Sequence, residues 1–156
     1  MPEPGAAHRC TGTYNLTIVP QRFPQRSKAP PPVKLHPDQS DAQVISGYGP
    51  GWVGVGGEKI TRSVVLSSGG RRMEWAGSFE ALGPEDFAKV AALDVEVVIF
   101  GSGDRIRFPK PEWLAPLAAR RIGIETMDTA AACRTYNILA QEGRDVAVAL
   151  LLVQAS

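Results

Sequence analysis

The chain has 156 residues, 44% apolar and 21% charged, which suits one packed domain and excludes global disorder. A formal net charge of +1 supplies no basic field for nucleic acid, and two cysteines, Cys10 and Cys133, exclude a disulfide scaffold and fit a reducing, cytoplasmic setting. The longest apolar run, Val146–Val153, has eight residues, far short of the ~20 that cross a bilayer.

Eight of the 13 prolines fall in the first 37 residues, and residues 1–40 carry five basic side chains against two acidic ones. A segment so rich in proline and poor in aromatics buries too little apolar surface to offset its ordering entropy. Residues 1–40 are therefore expected to be a flexible arm, and residues 41–156 a single domain. The arm lacks the apolar stretch of a secretion signal. Its prolines would break the amphipathic helix of a mitochondrial transit peptide. Asn15-Leu16-Thr17 spells a glycosylation sequon, which has no meaning without secretion.

The domain opens with β signals. Val44-Ile45 leads to Tyr48; then come Trp52–Val55, a run from Ile60 to Leu66, and Met73–Trp75. Gly56-Gly57 and Ser67–Gly70 separate the later runs as turns, giving an antiparallel meander. Gly83-Pro84-Glu85-Asp86 reads as a helix start, with proline where no N–H partner is needed and acids at the positive dipole end. Phe87, Val90 and Ala91 give that helix an apolar face.

Val95–Phe100 reads as a strand covered on both sides. A short helix is expected over Trp113–Arg121, kinked or limited by Pro116 and stopped by Gly123. Ile124–Met127 is a short strand, Asp128 caps a helix running to about Gln141 with Gly143 ending it, and Val146–Val153 is a last buried strand. On the last helix Arg134, Asn137 and Gln141 share one face, while Ala131, Thr135, Ile138 and Leu139 are expected to face the sheet. The whole reads as an α/β domain with a β-meander entry.

Several familiar motifs fail on context. Gly49-Pro50-Gly51-Trp52-Val53-Gly54 spells a dinucleotide fingerprint, but β-forming residues follow it where a helix must start, and Pro50 removes an amide. His8 and His36 both lie in the arm, so the domain has no zinc spacing and no triad histidine. Cys133, among alanines on a helix, reads as a small core residue. Trp52 and Trp75 are either core residues or an oligomer interface on the β-layer.

Two loops concentrate what remains. Gly101-Ser102-Gly103-Asp104 follows one apolar strand, and Met127-Asp128-Thr129 follows the next and opens a helix. Parallel strands would bring both loops to the carboxyl edge, where open α/β sheets bind ligands. The functional reading is a polar or anion-receptive pocket of Gly101, Ser102, Gly103, Asp128, Thr129, Arg134 and Asn137, with Arg105 or Arg107 as further candidates. The plain reading is a tight turn, an ordinary helix cap and a solvated helix face.

Gly101-Ser102-Gly103, the stretch Met127-Asp128-Thr129-Ala130-Ala131-Ala132-Cys133-Arg134-Thr135-Tyr136-Asn137 and Glu142-Gly143-Arg144 occur in that order before the final strand. In this the chain closely resembles the Mth938-like family of small domains of unknown biochemical function, which includes a mitochondrial assembly factor for respiratory complex I. The likeness covers approximately Lys34 to Val153. It implies a three-layer α/β fold: a mixed central sheet, helices on one side and an additional antiparallel β-layer. It implies no cofactor and no established activity, and it points to a protein partner in complex assembly; the oligomeric state stays open. A small enzyme or sensor using the same crevice is the alternative. The family's usual Gly-Thr-Gly turn appears here with Ser102, which retains the hydroxyl. Bacterial members tend to begin near the segment matching Val33-Lys34-Leu35-His36, so residues 1–32 are expected to stem from a start site placed too far upstream.

Overall fold

The computed structural model describes residues 43–154. The expected arm, with His8, His36, Cys10 and the Asn15 sequon, lies outside the described residues, as does the upstream start site. Strands β1 (Ile45–Gly49), β2 (Trp52–Val55) and β3 (Glu58–Ile60) form an antiparallel three-stranded sheet. Gly49 pairs with Trp52 around a Pro50-Gly51 turn with Gly51 at φ +70°. Proline followed by a positive-φ glycine is type II turn chemistry. At the next turn Gly56 and Gly57 both take positive φ (58° and 81°), the demand of a two-residue hairpin.

The run from Ile60 to Leu66 is two strands, not one. β3 ends at Ile60, the chain crosses to a second sheet, and β4 (Val64–Ser67) begins there, fully buried. Ser63 holds the crossing: its hydroxyl accepts from Leu152 N–H at 3.0 Å and its carbonyl from Trp75 N–H at 3.1 Å. The second sheet runs β5-β4-β8-β6-β7, with β5 (Arg72–Glu74), β6 (Val97–Gly101), β7 (Gly123–Met127) and β8 (Val146–Leu150). β8, β6 and β7 are mutually parallel, while β4 pairs antiparallel with both β8 and β5, so the sheet is mixed.

The three-layer α/β class is as expected, with the helices divided between the two faces instead of gathered on one. Helix α1 (Pro84–Ala91) packs with the segment from Pro111 against one face, over Val65, Val98, Phe100, Ala147 and Ala149. Helix α3 (Thr129–Gln141) shares the other face with the three-stranded layer, over Val64, Leu66, Ile99, Val148 and Leu150. The topology requires this split. The chain steps outward from β6 to β7, then back past β6 to β8, and right-handed crossovers in opposite directions fall on opposite faces.

Local chemistry explains most of the ends. Pro84 sits in the first turn of α1, and the Asp86 carboxylate accepts from Gly83 N–H at 3.0 Å. The expected Trp113–Arg121 helix is a 3-10 turn, Pro111–Leu114, running into the short helix α2 (Ala115–Ala119). Pro116 thus stands in its first turn, where it starts a helix and does not kink one. Arg121 at φ +56° ends it; Gly123 already belongs to β7. Gly143, at φ +77°, follows α3 as expected.

The buried side of α3 is Ala132, Cys133 and Tyr136, with Leu139 packed beside them; Ile138 is exposed. The expected face of Ala131, Thr135, Ile138 and Leu139 is therefore corrected by a rotation about the helix axis. Trp75 is a core residue, edge-on to Phe87 at 5.5 Å, and Trp52 is half-buried beneath the Lys59 ammonium. The Tyr136 hydroxyl has no hydrogen-bond partner among the described residues, and burial pushes its pKa up to about 12.

Burial likewise raises the Cys133 thiol from its ordinary value of 9.0 to about 12. The unfolded chain loses this proton near pH 9 while the native chain keeps it, so this contribution to stability is complete below pH 9 and lost between there and about pH 12. In a Cys10→Ser background, native protein at pH 8 is expected to resist alkylation by iodoacetamide, and urea-unfolded protein to react at the rate of a free thiol. Urea midpoints measured from pH 8 to 11 are expected to fall more for this protein than for its Cys133→Ala variant.

Candidate functional site

Gly101 pairs with Met127 on one side and Leu150 on the other, so β6, β7 and β8 end together. Their exits are joined by backbone bonds: Ser102 N–H to Met127 O at 2.9 Å, Thr129 N–H to Gly103 O at 2.8 Å, and Leu151 N–H to Gly101 O at 2.8 Å. The Thr129 hydroxyl accepts from Gly103 N–H at 3.0 Å and donates to Leu151 O at 2.8 Å. The two glycine-bearing and aspartate-bearing turns thus meet at one rim. Gly103 takes φ +105° there, a conformation that favours glycine.

The polar side chains at this rim serve the protein's own backbone. Ser102 is fully buried; its hydroxyl accepts from Arg107 N–H at 2.9 Å and lies within hydrogen-bond reach of the Arg105 and Met127 carbonyls. Arg107 curls back onto Ser102 O at 3.1 Å, pairs with Glu80 and stacks over Phe79. Asp128 caps α3 by accepting from Ala131 N–H at 2.9 Å. These bonds stiffen both turns and leave little of the expected anion-receptive chemistry.

Arg134 and Asn137 do share a face, which turns toward β1. Arg134 Nη1 donates to the Tyr48 hydroxyl at 2.9 Å and the guanidinium lies over that ring. Asn137 Nδ2 donates to Ile45 O at 2.8 Å while its Oδ1 accepts from Ile45 N–H at 2.9 Å. One amide thereby imitates a neighbouring strand and fixes the edge of the three-stranded layer to α3. Asn137→Ala is expected to cost ~2 kcal/mol in urea unfolding, because both Ile45 groups lose their partner. Its amide-exchange signature should be faster exchange at Ile45, with α1 unchanged.

Beside the rim lies a cavity of about 460 Å³, within the size range of small-molecule and peptide-side-chain sites. Gly103, Asp104, Asp128, Thr129 and Ala130 form one wall, Leu151–Val153 the floor, and Tyr48–Gly51 the opposite wall. Ser102, Arg134 and Asn137 do not line it. Two walls escaped the sequence reading: the β1–β2 turn, read only as turn punctuation, and Leu151–Val153, read as strand. The Gly49-Pro50-Gly51 cluster was the one available signal, since a turn so rich in glycine also permits close backbone approach. Among the described residues no cluster of three metal-ligating side chains occurs, and no helix is long and apolar enough to cross a membrane.

The model of a family of proteins of unknown function (DUF498/DUF598) matches residues 45–151. The chain belongs to this family. A solution structure of a Mth938-like domain from Bordetella pertussis superposes with a TM-score of 0.68 at 28% identity, covering 75% of this chain and 90% of that one. An uncharacterized protein of Rhodobacter capsulatus is 34% identical over 117 residues, 74% of this chain and 89% of that protein. NADH dehydrogenase [ubiquinone] 1 alpha subcomplex assembly factor 3 of Bos taurus is 35% identical over 82 residues, 51% of this chain. That match spans just under half, 45%, of the bovine protein's length.

Proposed function

We propose that this domain is a binding module that assists assembly of a respiratory NADH dehydrogenase by holding a partner protein, and that it acts in the cytoplasm. The reading is carried by the 35% identity over 82 residues to a protein named as an assembly factor of that enzyme. The conspicuous polar residues of the domain are spent on internal scaffolding. Gly101, Gly103, Asp128 and Thr129 are proposed to shape the rim that meets the partner. Ser102, Arg134 and Asn137 are proposed to hold that rim and the β-layer in place. A buried free thiol such as Cys133 suits a reducing compartment.

The test is deletion of the gene in its own host, followed by native-gel quantification of assembled NADH dehydrogenase in membranes. The expected result is less of the complete complex, accumulation of subassemblies, and restoration by a plasmid copy. An unchanged level of complete complex overturns the proposal.

A further inference from the structure

We infer that the carboxyl-edge cavity receives an extended segment of a partner protein in which a large apolar side chain is followed by lysine or arginine. This deepens the binding reading above and rests on it. Two features of the cavity select that chemistry. Pro50, Ala130, Leu152 and Val153 give it an apolar interior, and the Ser102 and Thr129 hydroxyls nearby are already committed to backbone groups. The charged side chains on its walls are two carboxylates, Asp104 and Asp128. Oδ1 of Asp128 is occupied by Ala131 N–H. Neither Asp104 nor the second Asp128 oxygen has a side-chain hydrogen-bond partner among the described residues; the Arg134 guanidinium, near enough to Asp128 to feel its charge, is bonded to the Tyr48 hydroxyl and does not line the cavity. An apolar hollow with acids at its side is complementary to an apolar residue beside a cation.

The surroundings indicate a protein segment and not an isolated small molecule. Of the six large apolar residues exposed among the described residues, two line the cavity, Tyr48 (37% exposed) and Val153 (46%), and two more, Ile106 (54%) and Phe108 (75%), belong to the loop that continues from its Asp104 wall. Ile106 and Phe108 stand two and four residues after Asp104, beyond Arg105. That loop is held from within by the Ser102 hydroxyl, the Arg107 guanidinium on Ser102 O, and buried Pro109. Alternate residues Ile106 and Phe108 are left facing out on a prearranged backbone. Rigid display of apolar anchors beside a concave, water-excluding pocket is what concentrates binding energy in protein interfaces. Acidic cavity walls also oppose an anionic lipid surface.

The test uses the full chain and two capped peptides, acetyl-Ala-Phe-Lys-Ala-amide and acetyl-Ala-Phe-Glu-Ala-amide, followed by two-dimensional amide NMR at low salt. The lysine peptide is expected to shift Gly51, Gly103, Asp104, Ala130 and Val153 saturably, with Kd on the order of 1 mM. The glutamate peptide is expected to bind about two- to fivefold more weakly, the yield of one partly exposed ion pair. The double variant Asp104→Asn/Asp128→Asn should abolish that preference while its second asparagine still caps the helix, and Ala130→Leu should weaken binding of both peptides by intruding on the cavity wall. A folded protein with no saturable shifts, shifts confined elsewhere, or equal binding of both peptides overturns the inference. So does capture by phosphatidylglycerol vesicles that Phe108→Ser abolishes, if neither peptide binds. The level of assembled dehydrogenase in the deletion strain is a separate readout, so a failure of this inference is distinguished from a failure of the assembly reading.

Discussion

Phe87→Ala is expected to remove ~3–5 kcal/mol from the free energy of unfolding, the range for deleting a fully buried aromatic ring. Phe87 has no solvent exposure and joins three other rings: Trp75 edge-on at 5.5 Å, Phe100 edge-on at 5.9 Å and Trp113 stacked at 6.3 Å. Each comes from a different segment of the chain. Phe100 comes from β6, Trp75 follows β5, and Trp113 lies in the 3-10 turn before α2. The ring therefore fastens α1, the segment before α2 and the sheet to one another, and neighbours tied to separate elements cannot all collapse into the space left behind. Single domains have ~5–15 kcal/mol in total, so the variant should sit close to its unfolding threshold at 37 °C. Urea denaturation followed by tryptophan fluorescence measures this directly. Phe87→Leu, which refills most of the volume, should cost under half as much; equal losses would mean that the cluster is not packed as described.

The same contacts show where sequence reading succeeds and where it stops. Local chemistry was legible. Gly56-Gly57 announced a hairpin because two adjacent residues had to take positive φ, and Pro84 with Asp86 announced the start of α1. The unbroken Val146–Leu150 run announced a strand buried on both faces. What depended on partners distant in the chain was not legible. Ile60 and Val64 fall in one stretch read as a single strand signal, yet Ile60 pairs with Val53 and Val64 with Leu150, so the stretch divides between two sheets. The face of α3 was missed because its first turn is nearly all alanine and carries no directional signal; the β-layer above Ala132, Cys133 and Tyr136 decides it. The candidate site divided likewise. Both turns could be placed at one edge from the parallel-strand pattern, but the direction of the Ser102 hydroxyl depends on how Arg105–Arg107 return to it. The Tyr48–Gly51 wall is brought across by the packing of one sheet on another.

Gly101→Leu is expected to be as disruptive as the loss of Phe87, for the opposite reason. A β-carbon at Gly101 would stand 2.9 Å from Leu150 Cδ2, 3.0 Å from Ala132 Cβ and 3.1 Å from Thr129 Cα. Leu150 can turn its side chain, but Thr129 Cα belongs to a backbone held by the Gly103 carbonyl and by its own hydroxyl on Leu151 O. Relief thus requires α3 to lift off the edge of the sheet, opening the rim beside the cavity. Gly101→Ala is expected to cost ~1–3 kcal/mol, the usual range for overpacking, and Gly101→Leu more than that. A double-mutant cycle separates the two sources of strain. Pairing Gly101→Ala with Leu150→Ala removes the side-chain clash but leaves Thr129, so the combined loss should fall short of the summed single losses by ~1 kcal/mol without vanishing. Full additivity would mean that Leu150 yields freely and that Ala132 and Thr129 carry the whole strain. Complete rescue would mean that the approach of α3 to β6 does not depend on glycine, and the family-like Gly-Ser-Gly turn would then need a different physical reason.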